Sequence, residues 1–158
     1  MNRIGIVFAV CLLAALVAFA WLHNRTMVAG LPPREVCADV ADAEIRAGKW
    51  ARANGGIAVP VLGTGSMAPF IPPAPSAPMT TYAAYAVVIA GSNFADIKPG
   101  DLCVYRAEWD LRLSVIHQAA QKDSGGWIMS GLHNARSEAA WRVTPANFIG
   151  VTIKVFVW

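Results

Sequence analysis

The stretch Ile57-Ala58-Val59-Pro60-Val61-Leu62-Gly63-Thr64-Gly65-Ser66-Met67-Ala68-Pro69-Phe70-Ile71 carries the decisive change of texture in this chain. A short run rich in β-branched residues meets a glycine-punctuated turn, the pattern of a strand opening into a sharp loop. The same texture recurs downstream in Tyr82–Ala90, Leu102–Arg106, Leu113–Ala119, Trp127–Ser130 and Phe148–Val157. Turn signals separate these runs: Lys98-Pro99-Gly100-Asp101, and Lys122-Asp123-Ser124-Gly125-Gly126. The second lies between two strand-like runs and predicts a hairpin. Residues 57–158 therefore read as a mainly β domain, built as coiled β-sheets or a partly open β-barrel. No internal repeat is visible.

Upstream the periodicity is different. From Arg34 to Arg52 good helix formers carry Val36, Val40, Ala43, Ala47 and Trp50 at three- and four-residue spacing. This predicts a short amphipathic helix, ended by Asn54-Gly55-Gly56, in a helical linker segment over residues 26–56. Ile4 to Leu22 is an uncharged apolar run of the length that crosses a bilayer core. Residues 1–25 read as an N-terminal transmembrane helix, anchored at its end by Trp21 and Arg25. The Ala18-Phe19-Ala20 step also fits a cleaved secretory signal. Arg3 on one side against Arg25 and Arg34 on the other leaves the orientation weakly specified. Both readings send the chain to a membrane, with the β domain on the exported side.

Composition narrows the function classes. The 158 residues are 56% apolar and 15% charged, against about 25% charged in an average soluble domain. The excess is concentrated in residues 1–22, where only Asn2, Arg3 and Gly5 fall outside the apolar set. The chain has room for one domain and one hydrophobic segment, which excludes a multi-domain enzyme and a multi-span transporter. Thirteen basic and ten acidic residues are scattered without runs, so nucleic acid is not an expected partner. Cys11 lies in the apolar run, leaving Cys37 and Cys103 either as one disulfide or as two buried free thiols.

Half of the ten prolines, Pro69, Pro72, Pro73, Pro75 and Pro78, fall within ten residues. Proline lacks the donor a sheet ladder needs, so this is an extended surface loop inside the β domain. It follows directly on Ser66, which stands between Gly65 and Met67 at the strand-to-loop junction. Glycine there lets another backbone approach closely, and a serine so placed is a candidate nucleophile.

Ser66-Met67-Ala68-Pro69, followed by apolar Phe70-Ile71, resembles the nucleophile motif of the type I signal peptidases and their wider serine-protease clan, which includes the self-cleaving SOS-type repressors. Further segments keep the family's order. Ile97-Lys98-Pro99-Gly100-Asp101-Leu102-Cys103-Val104-Tyr105 resembles its Pro-Gly-Asp turn leading into an apolar strand, and Val115-Ile116-His117-Gln118 resembles the general-base strand. Gly131-Leu132-His133-Asn134 is similar to its Gly-Asp-x-Asn box, and Phe148-Ile149-Gly150-Val151 to the closing strand. The resemblance spans about residues 59–153. It implies a coiled-sheet peptidase fold and an acyl-enzyme on Ser66, with no metal and no cofactor. His117 matches the base, as in the histidine-using archaeal and endoplasmic-reticulum branch. The Ser66 backbone N–H and the Thr64 hydroxyl would meet the oxyanion, and Met67, Pro69, Phe70 and Ile71 would contact substrate or membrane lipid. Exported precursor proteins, with small residues before the cleaved bond, are the implied substrates.

The departures matter as much. Leu132 replaces the box acid that supports the base, and Gln118 stands where a basic residue usually follows it. Glu138 falls near a second acidic position and is the candidate orienting acid. His133 with His117, Cys37 and Cys103 matches no zinc spacing. Lys98 and Lys122 sit at turns, where lysine is ordinarily a solvated charge. A second reading keeps the same fold as a catalytically impaired, membrane-tethered binding module. A third makes the Ser-Met-x-Pro a coincidence in an exported structural domain.

Overall fold

The computed structural model describes residues 30–74, 81–134 and 138–158, with only the backbone for 138–141. Its strands are β1 (Arg34–Val36), β2 (Gly56–Leu62), β3 (Tyr82–Ile89), β4 (Leu102–Ala107), β5 (Asp110–Asp123), β6 (Gly126–Ser130), β7 (Glu138–Val143) and β8 (Phe148–Val157). One helix, α1 (Val40–Ala53), and a 3₁₀ turn at Phe94–Asp96 complete the described elements. The chain is mainly β, in an open sheet of order β2-β3-β8-β4-β5-β6-β7. All neighbours in that order are antiparallel; β1 adds to β8 in parallel.

β8 holds two halves together. Its first residues, Phe148 to Val151, pair with β4, and Thr152 to Val157 pair with β3. The ladder slips between Val87 and Val88 and between Val104 and Tyr105, and such irregularities bend a sheet. Bending brings β2, at one end of the order, into contact with β5, four places away. The space between them is filled by Val59, Val61, Met67, Ile71, Val88, Leu102, Val104, Ile116 and Val155, all buried. A second cluster on the other face of β4 and β5 gathers Cys103, Tyr105, Val115, Trp127, Met129 and Val143. Alternation along β4 and β5 sends successive side chains to these two cores, which explains their near-continuous burial.

The expected strand runs are present, and the turn at Lys122–Gly126 does join β5 to β6 as a hairpin. Three expectations need correction. The predicted helix from Arg34 begins only at Val40, because Asp39 caps it by accepting from the Asp42 N–H at 2.8 Å. Arg34–Val36 is instead a strand, satisfying backbone groups of β8 that would otherwise lie open. The expected strand runs also lack β7, in which Glu138 stands opposite Met129. Helix α1 lies on the sheet: Ala43, Ala47 and Ala51 pack with Cys37, Val87 and Phe156 in a third cluster.

Cys37 and Cys103 are both buried free thiols in separate clusters, so the disulfide alternative is excluded. Among the described residues no helix is long and apolar enough to cross a membrane. The expected anchor at residues 1–25 and Pro75 and Pro78 of the proline loop lie outside the described residues.

Candidate active site

Three segments build the site. The first is the turn after β2. Gly63 donates to Thr81 O at 2.9 Å and accepts from Ala74 N at 3.0 Å, so the chain leaves β2 and folds back on itself. A Cβ at Gly63 would stand 2.5 Å from the Ala83 Cβ, so only glycine fits. Gly65 takes a φ of +84°, a left-handed conformation that glycine adopts without strain. Ala68 N then closes onto Gly65 O and Ile71 N onto Met67 O, each at 3.0 Å. The side chains of Met67 and Ile71 are buried in the first core and pin this turn from beneath. Arg34 on β1 holds it from outside, donating to Pro69 O at 2.9 Å.

The second segment is the β4–β5 pair. Cys103 pairs with His117 and Tyr105 with Val115, so Tyr105 and His117 are diagonal neighbours on one face. The strand after His117 is secured by Gln118, whose amide donates to Gly100 O at 3.2 Å. That bond ties the base strand to the Lys98–Asp101 turn, where Pro99 and Gly100 (φ +93°) suit their turn positions. The third segment follows β6. His133 N donates to Ser66 O at 2.8 Å, and Gly131 passes so close that a Cβ there would meet Ser66 O at 2.5 Å.

These segments bring together what the sequence separates by 51 residues. Ser66 Oγ and His117 Nε2 are 2.6 Å apart, a short hydrogen bond. Thr64 Oγ1 is 2.9 Å from Ser66 Oγ. On the far side of the imidazole, Nδ1 is 2.7 Å from the Tyr105 hydroxyl. His117 is 6% exposed and Tyr105 3%, so the pair is held inside the sheet while Ser66 stands half-buried at its margin. The row faces a cleft of about 600 Å³ that is also lined by Ala68, Pro73, Trp109, Val115, His133 and Asn134. No carboxylate is among the described residues that line it.

Of the expected site residues, Ser66, His117 and Thr64 converge. Met67, Pro69, Phe70 and Ile71 do not line the cleft: Met67 and Ile71 are core, Phe70 packs on the same core, and Ala68 and Pro73 form the wall instead. Burial takes Met67 and Ile71 out of reach of a substrate in the cleft, while Pro69 remains exposed beside it. Leu132 also packs against the first core, so the box position carries an apolar side chain that serves packing. The side chain of Glu138 lies outside the described residues. Tyr105 was legible only as a strand residue; its role needs the pairing of β4 with β5, which no local motif states. His133 joins the cleft wall, and among the described residues no three His, Cys, Asp or Glu side chains gather as a metal site.

The sequence matches no model of a known protein family. A search of curated proteins likewise finds no match.

Proposed function

We propose that the chain is a serine endopeptidase of the signal-peptidase type, held at a membrane by residues 1–25, with Ser66 as nucleophile and His117 as general base. The observation that carries this reading is the 2.6 Å contact between Ser66 Oγ and His117 Nε2 at the wall of an open cleft. A serine hydroxyl is a weak nucleophile at neutral pH, and a base within hydrogen-bond reach removes that handicap. An imidazole ionises near pH 6.5 in its unperturbed state and so serves without deep desolvation. The coiled, open sheet agrees with the fold expected of that clan.

In the first step Oγ attacks the scissile carbonyl while its proton passes to Nε2. The Oγ–C bond forms and the carbonyl π pair moves to oxygen. The Ser66 backbone N–H is the donor the family resemblance assigns to that oxygen, with Thr64 as its neighbour. Collapse breaks the C–N bond, and the departing amine takes the proton back from Nε2. Water then enters, loses a proton to the same nitrogen and bonds to the acyl carbon; the C–Oγ bond breaks, and Oγ takes the proton back from Nε2. No cofactor enters either step.

The substrate path follows from the ladder. β6 pairs with β5 only from Gln118 onward, so Ser114 to His117 pair with β4 alone among the described strands. An extended peptide adding to that open edge, or to the end of β2, would lie across the cleft with its carbonyl at Ser66. Pro73, Val115 and Trp109 give the cleft apolar lining, and the preference for small side chains next to the cleaved bond is what the family resemblance implies. Exported precursor proteins with such residues, presented at a lipid surface, are the proposed substrates.

The test is cleavage of a precursor bearing an Ala-x-Ala site by the full chain in detergent, against Ser66→Ala and His117→Ala. Loss of cleavage by about six orders of magnitude in each variant is expected, as when the nucleophile or the base of such a pair is removed. Cleavage by Ser66→Ala at the wild-type rate would overturn the assignment. Binding of the precursor without cleavage by any form would favour a tethered binding module on the same fold.

A further inference from the structure

We infer that Tyr105 is the positioning residue of His117: its phenol oxygen accepts the Nδ1 proton and holds the imidazole in the tautomer whose Nε2 is free to take a proton from Ser66. The inference rests on the reading of Ser66 and His117 just given. The ring nitrogens of a neutral histidine divide one proton, and the partner of one decides the state of the other. Here Nε2 faces Ser66 Oγ at 2.6 Å and Nδ1 faces the Tyr105 hydroxyl at 2.7 Å. A base at Nε2 requires the proton at Nδ1, and Nδ1–H then points at the Tyr105 oxygen. The same holds after proton transfer, when both ring nitrogens carry hydrogen and both must donate.

The geometry suits a fixed post. Tyr105 and His117 stand on paired strands, on one face and at diagonal register, so the sheet itself sets the distance. Their ring centroids are 6.0 Å apart. Tyr105 packs within the second core with Cys103, Val115 and Trp127, is only 3% exposed, and meets the cleft beside His117. Thr64, Ser66, His117 and Tyr105 then form a row in which each donates to the next: Thr64 Oγ1–H to Ser66 Oγ, Ser66 Oγ–H to Nε2, and Nδ1–H to the phenol. A phenol is neutral at pH 7, so it orients the ring without the charge a carboxylate would bring to the imidazolium. This partly replaces the acid missing at Leu132.

The experiment uses the full chain in detergent, labelled with ¹⁵N at histidine, with His117→Gln to assign the His117 signals. At a pH where His117 is neutral, the wild type is expected to show Nδ1 protonated and Nε2 unprotonated. Tyr105→Phe keeps the ring and removes the oxygen. It is expected to raise the share of the Nε2-protonated tautomer and to slow acylation of Ser66 by a fluorophosphonate about tenfold. In that reaction the Oγ–phosphorus bond forms and fluoride leaves. Thermal unfolding of both proteins guards against a packing effect, and Tyr105→Leu, which loses packing too, separates the two. A wild type protonated at Nε2, or a Tyr105→Phe form with unchanged tautomer and acylation rate, would overturn the inference. If the tautomer shifts as expected but neither protein reacts with the fluorophosphonate, the peptidase reading fails and the positioning role of Tyr105 stands.

Discussion

At the scale of single residues, the site depends on what is absent from side chains as much as on what they carry. Gly131 has no Cβ because Ser66 occupies that space: an added carbon would meet Ser66 O at 2.5 Å and Ser66 Cβ at 2.9 Å. His133 N already holds that carbonyl at 2.8 Å, so the nucleophile turn cannot retreat without losing a bond. Gly131→Ala is therefore expected to displace Ser66 and to slow its acylation by a fluorophosphonate about a hundredfold, the usual cost of a misplacement near 1 Å. Circular dichroism should show the β content unchanged. An alanine variant that reacts at the wild-type rate would mean that the loop after β6 does not support the nucleophile. Ser66, Thr64 and Gly131 fall in or beside short motifs, whereas the contact of Tyr105 with His117 comes only from the pairing of β4 with β5.

At the scale of elements, β1 and α1 are held to β8 by one carboxylate. Glu35 on β1 receives Lys154 of β8 at 2.7 Å and Arg46 of α1 at 2.9 Å, and Arg46 also reaches Asp42 at 2.8 Å. The hydrogen bonds from Lys154 and Arg46 pull the Glu35 carboxyl below its ordinary value of 4.5. A carboxyl whose folded pKa is depressed stabilises the fold above its unfolded value and loses that contribution as pH falls through the folded one. The melting temperature is thus expected to decline as pH is lowered from about 4.5, and Glu35→Gln should flatten that decline while lowering the value at pH 7. Equal slopes for both proteins in a melting series from pH 7 to pH 3 would place the acid sensitivity elsewhere. Because the three groups are partly exposed, salt should weaken the effect. The same element matters for the site, since Arg34, next to Glu35, holds the carbonyl of Pro69.

At the scale of the whole molecule, the two cores on either side of β4 and β5 unite the halves that β8 joins, and the thiols report on the second of them and on the cluster beneath α1. Cys103 lies in the second core, where burial pushes its pKa up to about 12; Cys37 lies beneath α1, with its pKa also raised by burial. Thiol reagents attack the thiolate, so both should resist alkylation in the folded protein and become reactive together when urea unfolds it. Peptide mapping that found Cys37 modified well before Cys103 would show that α1 opens apart from the sheet. The β character of residues 57–158, the hairpin at Lys122–Gly126 and the Ser66 and His117 candidates were all legible locally, because β-branched alternation, turn chemistry and a short motif are properties of neighbours in sequence. β1 was hidden by the helix-like spacing around Arg34, and β7 by a segment without a strand texture. The contact of Ser66 with His117, the Tyr105 partner and the burial of Met67 and Ile71 were decided by the tertiary structure alone. Each depends on which strands pair and how far the sheet coils, and those are set by the packing of apolar faces distant in the chain, which no local pattern encodes.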